Sequence, residues 1–491
     1  MISSEVEPFA RTGGLGDVVG GLSLALAQLG ADVVVVTPLY RVTKLPGVSS
    51  PASFWHEPLT ARVGWGPSDV RQVGVLEIRG KAGAGGSHRV CLIANDELFG
   101  NRGIYDDPVG GTYNDNDVRF VTLSRAALAV AERVWGSPED GGGPDIIHAH
   151  DWHAAPAIIS AQTTMGEAWK SIASVFTIHN LAFQGVLGFG ALDRLQIPRA
   201  AFYDGTLAHE GNVNLMKGAL LFSDRVTTVS PTYAREILSR QEGWGFDGIL
   251  RSIGPKLVGI LNGIDAESFD PRTDQAITRQ YGPDDAVSAR QACKDALVAE
   301  TGLDAAEGPL FASVARLTEQ KGVDLILEIA PALVEGGARL LVVGEGDRRL
   351  EGWLRDVCAR FPGRIASRIT FDPPLARRVY SGADFFLMPS RYEPCGLTQM
   401  YAMRYGAIPL VTGVGGLFDT VTRMDAAHGV GTGFVAAAPT MTDLLLACED
   451  ALTFYRDTGS RISAIHRAMS RDDSWKASAA TYLRLFDALV A

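Results

Sequence analysis

Arg11-Thr-Gly-Gly-Leu-Gly-Asp17 stands between a short apolar opening and a helical pattern over residues 15–29. A glycine-rich turn from strand into helix opens a doubly wound α/β domain, because glycine turns tightly and lets a ligand approach its amides. A second such turn, Gly413-Val-Gly-Gly-Leu417, follows the apolar run 408–411. Neither is a G-x-G-x-x-G fingerprint or a Walker A loop, so each alone also suits plain helix–sheet packing. One turn in each half of the chain predicts two domains of similar build.

Working outward, short apolar runs alternate with helical patterns, which signals βαβ units and parallel sheets. Strands are expected at 32–36, 90–93, 145–148, 174–178 and 225–229 in the first half. In the second half they are expected at 257–260, 310–315, 339–343, 365–371, 385–388 and 408–411. Helices fit between them, among others at 116–134, 325–333 and 398–404. The 491 residues exceed one ordinary core; domains hold roughly 100–200 residues. The halves are expected to meet near Gly254 and Pro255. That divides the chain into a Rossmann-like domain over 1–255, a second over 256–470, and a terminal segment over 471–491. The amphipathic stretch 474–489 either caps the second domain or crosses back to the first. Only residues 1–3 precede the first turn as a strand, so that strand looks truncated. The expectation is that several apolar residues precede it in the natural chain, with Met1 an internal residue or alternative start.

Composition narrows the partners. The chain is 46% hydrophobic and 21% charged, as a globular protein with a sizeable core should be. Its formal net charge of −11 argues against nucleic acid and against anionic membranes. An anionic ligand must then be held by local cations and helix N-termini. The cysteines Cys91, Cys293, Cys358, Cys395 and Cys448 are scattered and form no C-x-x-C pair, which suits a reducing compartment. No signal peptide and no apolar run of ~18 residues is evident. A cytoplasmic location is expected.

In open α/β sheets ligands bind beyond the carboxyl ends of the strands. There this sequence places His150 and Asp151, His179 and Asn180, Asn262, Arg316 and Lys321, Glu393, and the second glycine turn. Such groups in both halves argue for one cleft between two domains. Arg316 and Lys321 suit phosphate, Arg as a fork and Lys as a point charge; the alternative is a solvated loop pair. Glu393 suits sugar hydroxyls, or simply favours the helix that opens behind it. His148-Ala-His-Asp-Trp-His153 looks metal-like, but no fourth ligand stands at a sensible spacing, and the same groups serve sugar hydroxyls. Cys395 lacks an assigned His–Asp pair and reads as a small buried residue rather than a nucleophile.

Read in order, these motifs resemble the bacterial glycogen synthases and plant starch synthases. The likeness runs from Ser3-Ser-Glu-Val-Glu-Pro-Phe-Ala-Arg-Thr-Gly-Gly-Leu-Gly-Asp17 to Ser474-Trp-Lys-Ala-Ser478. Between them stand His148-Ala-His-Asp-Trp-His-Ala154, Thr177-Ile-His-Asn-Leu-Ala-Phe-Gln-Gly185, Leu261-Asn-Gly-Ile-Asp265, Arg316-Leu-Thr-Glu-Gln-Lys-Gly322 and Pro389-Ser-Arg-Tyr-Glu-Pro-Cys-Gly-Leu-Thr-Gln399. The resemblance implies an α/β GT-B fold, two Rossmann-like domains across a deep cleft. It implies transfer of glucose from ADP-glucose to the 4-hydroxyl at the non-reducing end of an α-1,4-glucan, with retention and without a metal or other cofactor. By resemblance, Arg316 and Lys321 hold the donor phosphates and Gly13 and Gly14 approach them. Glu393 and the Cys395-Gly396-Leu397 backbone hold the transferred glucose, which His179, Asp151 and Asn180 also face. Tyr105 stands on the acceptor or sugar side, and Arg11, Asn262, Gly415 and Gly416 complete the binding set. Two residues depart from the family pattern: Arg11 replaces Lys, and Val414 replaces Thr. The rival readings are a related transferase using UDP-glucose and a catalytically weak glucan-binding paralogue.

Overall fold

Residues 1–3 are paired along both edges in the computed structural model, which describes residues 1–45, 52–64, 66, 68–80, 83, 85–107 and 111–491. Ile2 N–H donates to His148 O at 2.9 Å, and His150 N–H returns to Ile2 O at 3.0 Å. On the other edge Val36 N–H donates to Met1 O at 2.9 Å, and Ser3 N–H to Val36 O at 3.1 Å. This short central strand joins β1 (Asp32–Pro38) to β6 (Ile146–His150).

Two units are separable, Met1–Gly263 with Trp475–Ala491, and Ile264–Ser474. In the first, β1 is a β-branched run buried along six of its seven residues, as an interior parallel strand requires. It pairs in parallel with β5 (Ser87–Ala94). Beyond β6 the sheet continues through β7 (Ala173–Ile178), β11 (Arg225–Thr228) and β12 (Leu257–Gly259), all parallel. Sequence periodicity missed β2 (Ala52–Phe54), β3 (Leu59–Arg62) and β4 (Val70–Arg79). They form an antiparallel flap on β5, so the sheet is mixed rather than wholly parallel. Three more short strands, β8 (Val186–Leu187), β9 (Ala208–His209) and β10 (Asn212–Asn214), make a separate small sheet.

The second unit carries one parallel sheet in the order β15-β14-β13-β16-β17-β18. Its strands are β13 (Leu310–Val314), β14 (Arg339–Val343), β15 (Ile365–Arg368), β16 (Phe385–Met388), β17 (Ile408–Thr412) and β18 (Phe434–Ala436).

Two expectations need correction. The strand at 257–260 was assigned to the second domain, but β12 hydrogen-bonds to β11 in the first. The division therefore falls after Gly263, not at 255. A three-residue strand carries no sign of which sheet it completes, so local pattern could not place it. The terminal helix, Trp475–Val490, belongs to the first unit. Trp475, Ala479 and Tyr482 share a core with Val18, Leu22 and Leu26 of α1 (Gly14–Gln28). Trp475 is 6% exposed; a buried Trp removes ~150–250 Å² from water, an upper bound of about 4–6 kcal/mol. None of the five cysteines is in a disulfide. Among the described residues no helix is long and apolar enough to cross a membrane.

Candidate active site

The first unit gathers its polar groups where β6, β7 and the central strand end. Asp151 follows β6 directly as the first residue of α3 (Asp151–Thr163) and takes φ +54°, a left-handed turn that a non-glycine residue adopts at some cost. Its Oδ1 accepts the His179 N–H at 2.8 Å, so it ties the end of β6 to the end of β7. Burial pushes its carboxyl up to about 7, against the opposing pull of the His179 and Asn180 backbone amides. His150 Nδ1 lies 3.0 Å from His179 Nε2, and His148 Nε2 lies 2.7 Å from Thr177 Oγ1. Burial holds these imidazoles neutral: His179 is driven down to about 3, and His148 and His150 well below their ordinary value. Asn180 turns its Oδ1 onto the Ala182 N–H at 3.0 Å. Asn262 is buried beyond β12, with its Oδ1 unpartnered among the described residues.

Glu5, not singled out from sequence, organises the first glycine turn. It is 2% exposed, and its Oε2 accepts the Thr12 N–H at 2.5 Å and the Gly13 N–H at 3.2 Å. Tyr105 donates its hydroxyl to Glu5 Oε1 at 2.5 Å and meets Ser4 Oγ at 2.9 Å. Tyr105 is thus a brace behind the turn. A phosphate at the Gly13 amide would compete with the Glu5 carboxylate, whereas Gly14 begins α1. Arg11 is engaged by Asp17 and lies 3.7 Å from Glu7. The signal for Glu5 was present: an acid at the end of a strand, ahead of a turn rich in unpaired amides.

Next to Asp151, Trp152 borders a cavity of about 530 Å³ that Tyr113, Asn114, Asp117, Phe183 and Gln184 also line. Phe183 is 61% exposed. Trp152 rests edge-on against Phe120 at 5.3 Å and beside His153 at 4.2 Å. Neither Trp152 nor Phe183 is given a role by the sequence: Trp152 stands in the first turn of α3 and Phe183 on a loop, and a single aromatic carries no periodic signal.

The second unit sets charged side chains at its strand ends where β6 and β7 of the first set neutral imidazoles. Arg316 follows β13, is exposed, and has no ion pair among the described residues. Lys321 Nζ donates to Glu393 Oε2 at 2.5 Å, and Ser390 Oγ donates to the same oxygen at 3.1 Å. Oε1 of Glu393 has no partner among the described residues. Gly322 takes φ +66°, and a Cβ there would stand 2.1 Å from Pro389 O, so the Lys321 turn closes onto the Glu393 loop only with glycine. Gly416 does the same elsewhere: a Cβ would meet Cys395 O at 2.2 Å, and its own N–H donates to Glu393 O at 3.1 Å. Gly415 and Gly416 of the second turn begin a six-residue helix, Gly415–Thr420. Gln399 Nε2 holds the carbonyls of Cys395 at 3.3 Å and Gly396 at 2.9 Å. Leu397 stands just before the helix Thr398–Arg404, and Cys395 is buried, in keeping with its small-residue reading. The structure thus brings Lys321, Glu393, Cys395 and Gly416 into one hydrogen-bonded group. No set of three or more His, Cys, Asp or Glu side chains among the described residues is arranged to hold a metal.

Two Rossmann-like units, one with an exposed arginine and a lysine–glutamate pair at its strand ends, the other with a neutral histidine cradle, define a glycosyltransferase of the GT-B type. Comparison with known proteins agrees. Residues 1–252 match the family model of the starch synthase catalytic domain, and residues 308–453 that of the glycosyl transferases group 1. The glycogen synthase of Myxococcus xanthus is 42% identical, with 100% of this chain and 99% of that protein covered. Glycogen synthase of Anaeromyxobacter dehalogenans is 39% identical, with 100% and 99% covered. Among solved structures, the catalytic domain of starch synthase IV from Arabidopsis thaliana, bound to ADP and acarbose, matches at a TM-score of 0.88 and 30% identity, covering 100% of this chain and 98% of that one. The chain belongs to the glycogen synthase and starch synthase family, and its activity is that of a glycogen synthase.

Proposed function

We propose that the chain transfers glucose from ADP-glucose to the 4-hydroxyl at the non-reducing end of an α-1,4-glucan, with retention, in the cytoplasm and without a metal. The observation that carries the reading is the contrast within the second unit: Arg316 stands exposed, with no ion pair among the described residues, while Lys321 is pinned by Glu393 at 2.5 Å. A diphosphate needs cations that are already placed. Arg316 offers its fork to the phosphates, and Lys321 is held in place by Glu393 and Ser390. The open Oε1 of Glu393 accepts a glucose hydroxyl. In the first unit, His179 and Asn180 offer neutral hydrogen bonds of the kind that suits a sugar. The aromatic cavity beside Trp152 suits a glucan, whose ring faces pack on aromatic rings while Asn114, Asp117 and Gln184 meet hydroxyls.

The chemistry follows from charge. The bond between the anomeric carbon and the phosphate oxygen breaks, and its electron pair leaves with the diphosphate. The acceptor oxygen bonds to the anomeric carbon on the same face, and its proton passes to the departing phosphate oxygen. Arg316 and Lys321 gain most from the charge that develops there, so they lower the barrier rather than merely binding the donor. The products are ADP and a glucan longer by one glucose. The likeness to a structure bound to ADP and acarbose supports an adenine nucleotide and an α-glucan. Labelled-glucose incorporation into glycogen decides between donors. ADP-glucose is expected to exceed UDP-glucose by at least tenfold in kcat/KM; equal or reversed preference would overturn the donor assignment. No incorporation from either would favour a silent glucan-binding protein.

A further inference from the structure

We propose that His150 is a positioning residue that sets the tautomer of His179, so that His179 meets the donor sugar as a neutral hydrogen-bond donor through Nδ1–H. The proposal rests on the reading of His179 as a sugar contact. His150 is wholly buried, and its Nδ1 lies 3.0 Å from His179 Nε2. Its other nitrogen, Nε2, is buried and unpartnered among the described residues. Its ring lies against that of His148 with centroids 4.1 Å apart. Burial keeps both rings of the His150–His179 pair neutral, so one hydrogen lies between the two nitrogens.

Two arrangements are open, and they differ in what they strand. If His179 donates from Nε2, His150 accepts at Nδ1 and must carry its own hydrogen on Nε2. That leaves a buried N–H without an acceptor. If His150 donates from Nδ1, its Nε2 keeps only an unused lone pair. Orphaned buried N–H groups are the rarer defect, because the lost hydrogen bond to water is not replaced, whereas an under-used acceptor is better tolerated. The second arrangement therefore holds. His179 accepts at Nε2, and its hydrogen sits on Nδ1. That nitrogen is not enclosed and has no partner among the described residues. It can donate to a sugar oxygen and cannot take a proton there, so His179 orients the sugar and is no base.

The first test is nitrogen-15 NMR on histidine-labelled wild-type protein, with the His179 signals assigned from a His179→Ala sample. The expected spectrum has a protonated Nδ1 and an unprotonated Nε2. A hydrogen on Nε2, or an averaged mixture of tautomers, overturns the proposal. The second test uses activity. His150→Leu removes the donor and is expected to lower kcat about 10–100-fold, the range seen when a metal-bound histidine loses the group that orients it. His150→Asn, whose side-chain amide can donate from the same place, is expected to recover most of that loss. Equal losses in two variants that melt like wild type would count against positioning; should His150→Leu not fold, the spectrum decides. His179→Ala separates the two layers of the argument. If it keeps full activity, the sugar-contact reading is wrong, while the tautomer assignment still stands or falls on the spectrum.

Discussion

The strand ends of the two units solve opposite problems. In the first, Asp151, His150 and Glu5 are buried and His179 is half-buried, and they are satisfied mainly by one another and by backbone amides. In the second, Arg316 is exposed, and Lys321 and Glu393 form an ion pair at 2.5 Å. Neutral hydrogen bonds fix a geometry without repelling or attracting charge, which suits a sugar. Cations already in place, one exposed and one pinned by a buried carboxylate, suit a diphosphate, whose charge grows as it leaves. In a chain of net charge −11 the cations must be concentrated where the anion departs, since the protein's overall field opposes it.

The sharpest way to break this contrast is to remove the charge. Arg316→Ala and Lys321→Ala are each expected to lower kcat by ~10²-fold or more, because each cation counts most in the transition state. Lys321→Ala also leaves Glu393 buried without its counter-ion, so its melting temperature should fall, while that of Arg316→Ala should not. Near wild-type turnover in both would place the phosphates elsewhere.

Arg11 tests the border between the two chemistries. It is a cation in the neutral unit, engaged by Asp17 and near Glu7. Arg11→Ala is expected to cost roughly tenfold in kcat/KM, about 1.4 kcal/mol of transition-state stabilisation. Arg11→Lys should retain or raise activity. Equal rates for all three forms would make the position peripheral.

A smaller effect concerns stability. Asp151 has its carboxyl raised from 3.8 to about 7 by burial, so between those values the folded chain binds a proton that the unfolded chain has lost. Its contribution is full below the unfolded value and is lost as pH rises through about 7. Asp17, raised to about 6, adds to the same trend. Thermal melts at pH 5 and pH 8 should show wild type losing more stability than Asp151→Asn. An identical pH slope in the two would mean that Asp151 is not the titrating group.

The smallest expected effect is none. EDTA should leave activity unchanged if Arg316 and Lys321 alone answer the leaving group. Loss on chelation that is restored by a divalent ion would reassign the acidic and histidine groups.

The sequence by itself determined the reaction class and most of the cast. Two glycine turns, Arg316 with Lys321, the His148–Asp151 run and Glu393 lie at strand ends, and strand ends are where such folds bind ligands. Local pattern sufficed because each of these groups follows an apolar run whose period is visible over a few residues. Several strands and helices were legible for the same reason, as with the helix Thr398–Arg404, whereas the ten-residue β4 was not. Other assignments needed the tertiary structure. β12 joined the first unit, the flap of β2 to β4 joined β5, and the terminal helix joined α1. Glu5 emerged as the holder of the first turn, Tyr105 as its brace, and His150 as the partner of His179. β12, the flap and the terminal helix depend on distant segments sharing a sheet or an apolar core, and Glu5, Tyr105 and His150 on hydrogen bonds of 3.2 Å or less. Such contacts leave no period in the sequence, because the hydrogen bond that defines the role exists only after the backbone has closed around it.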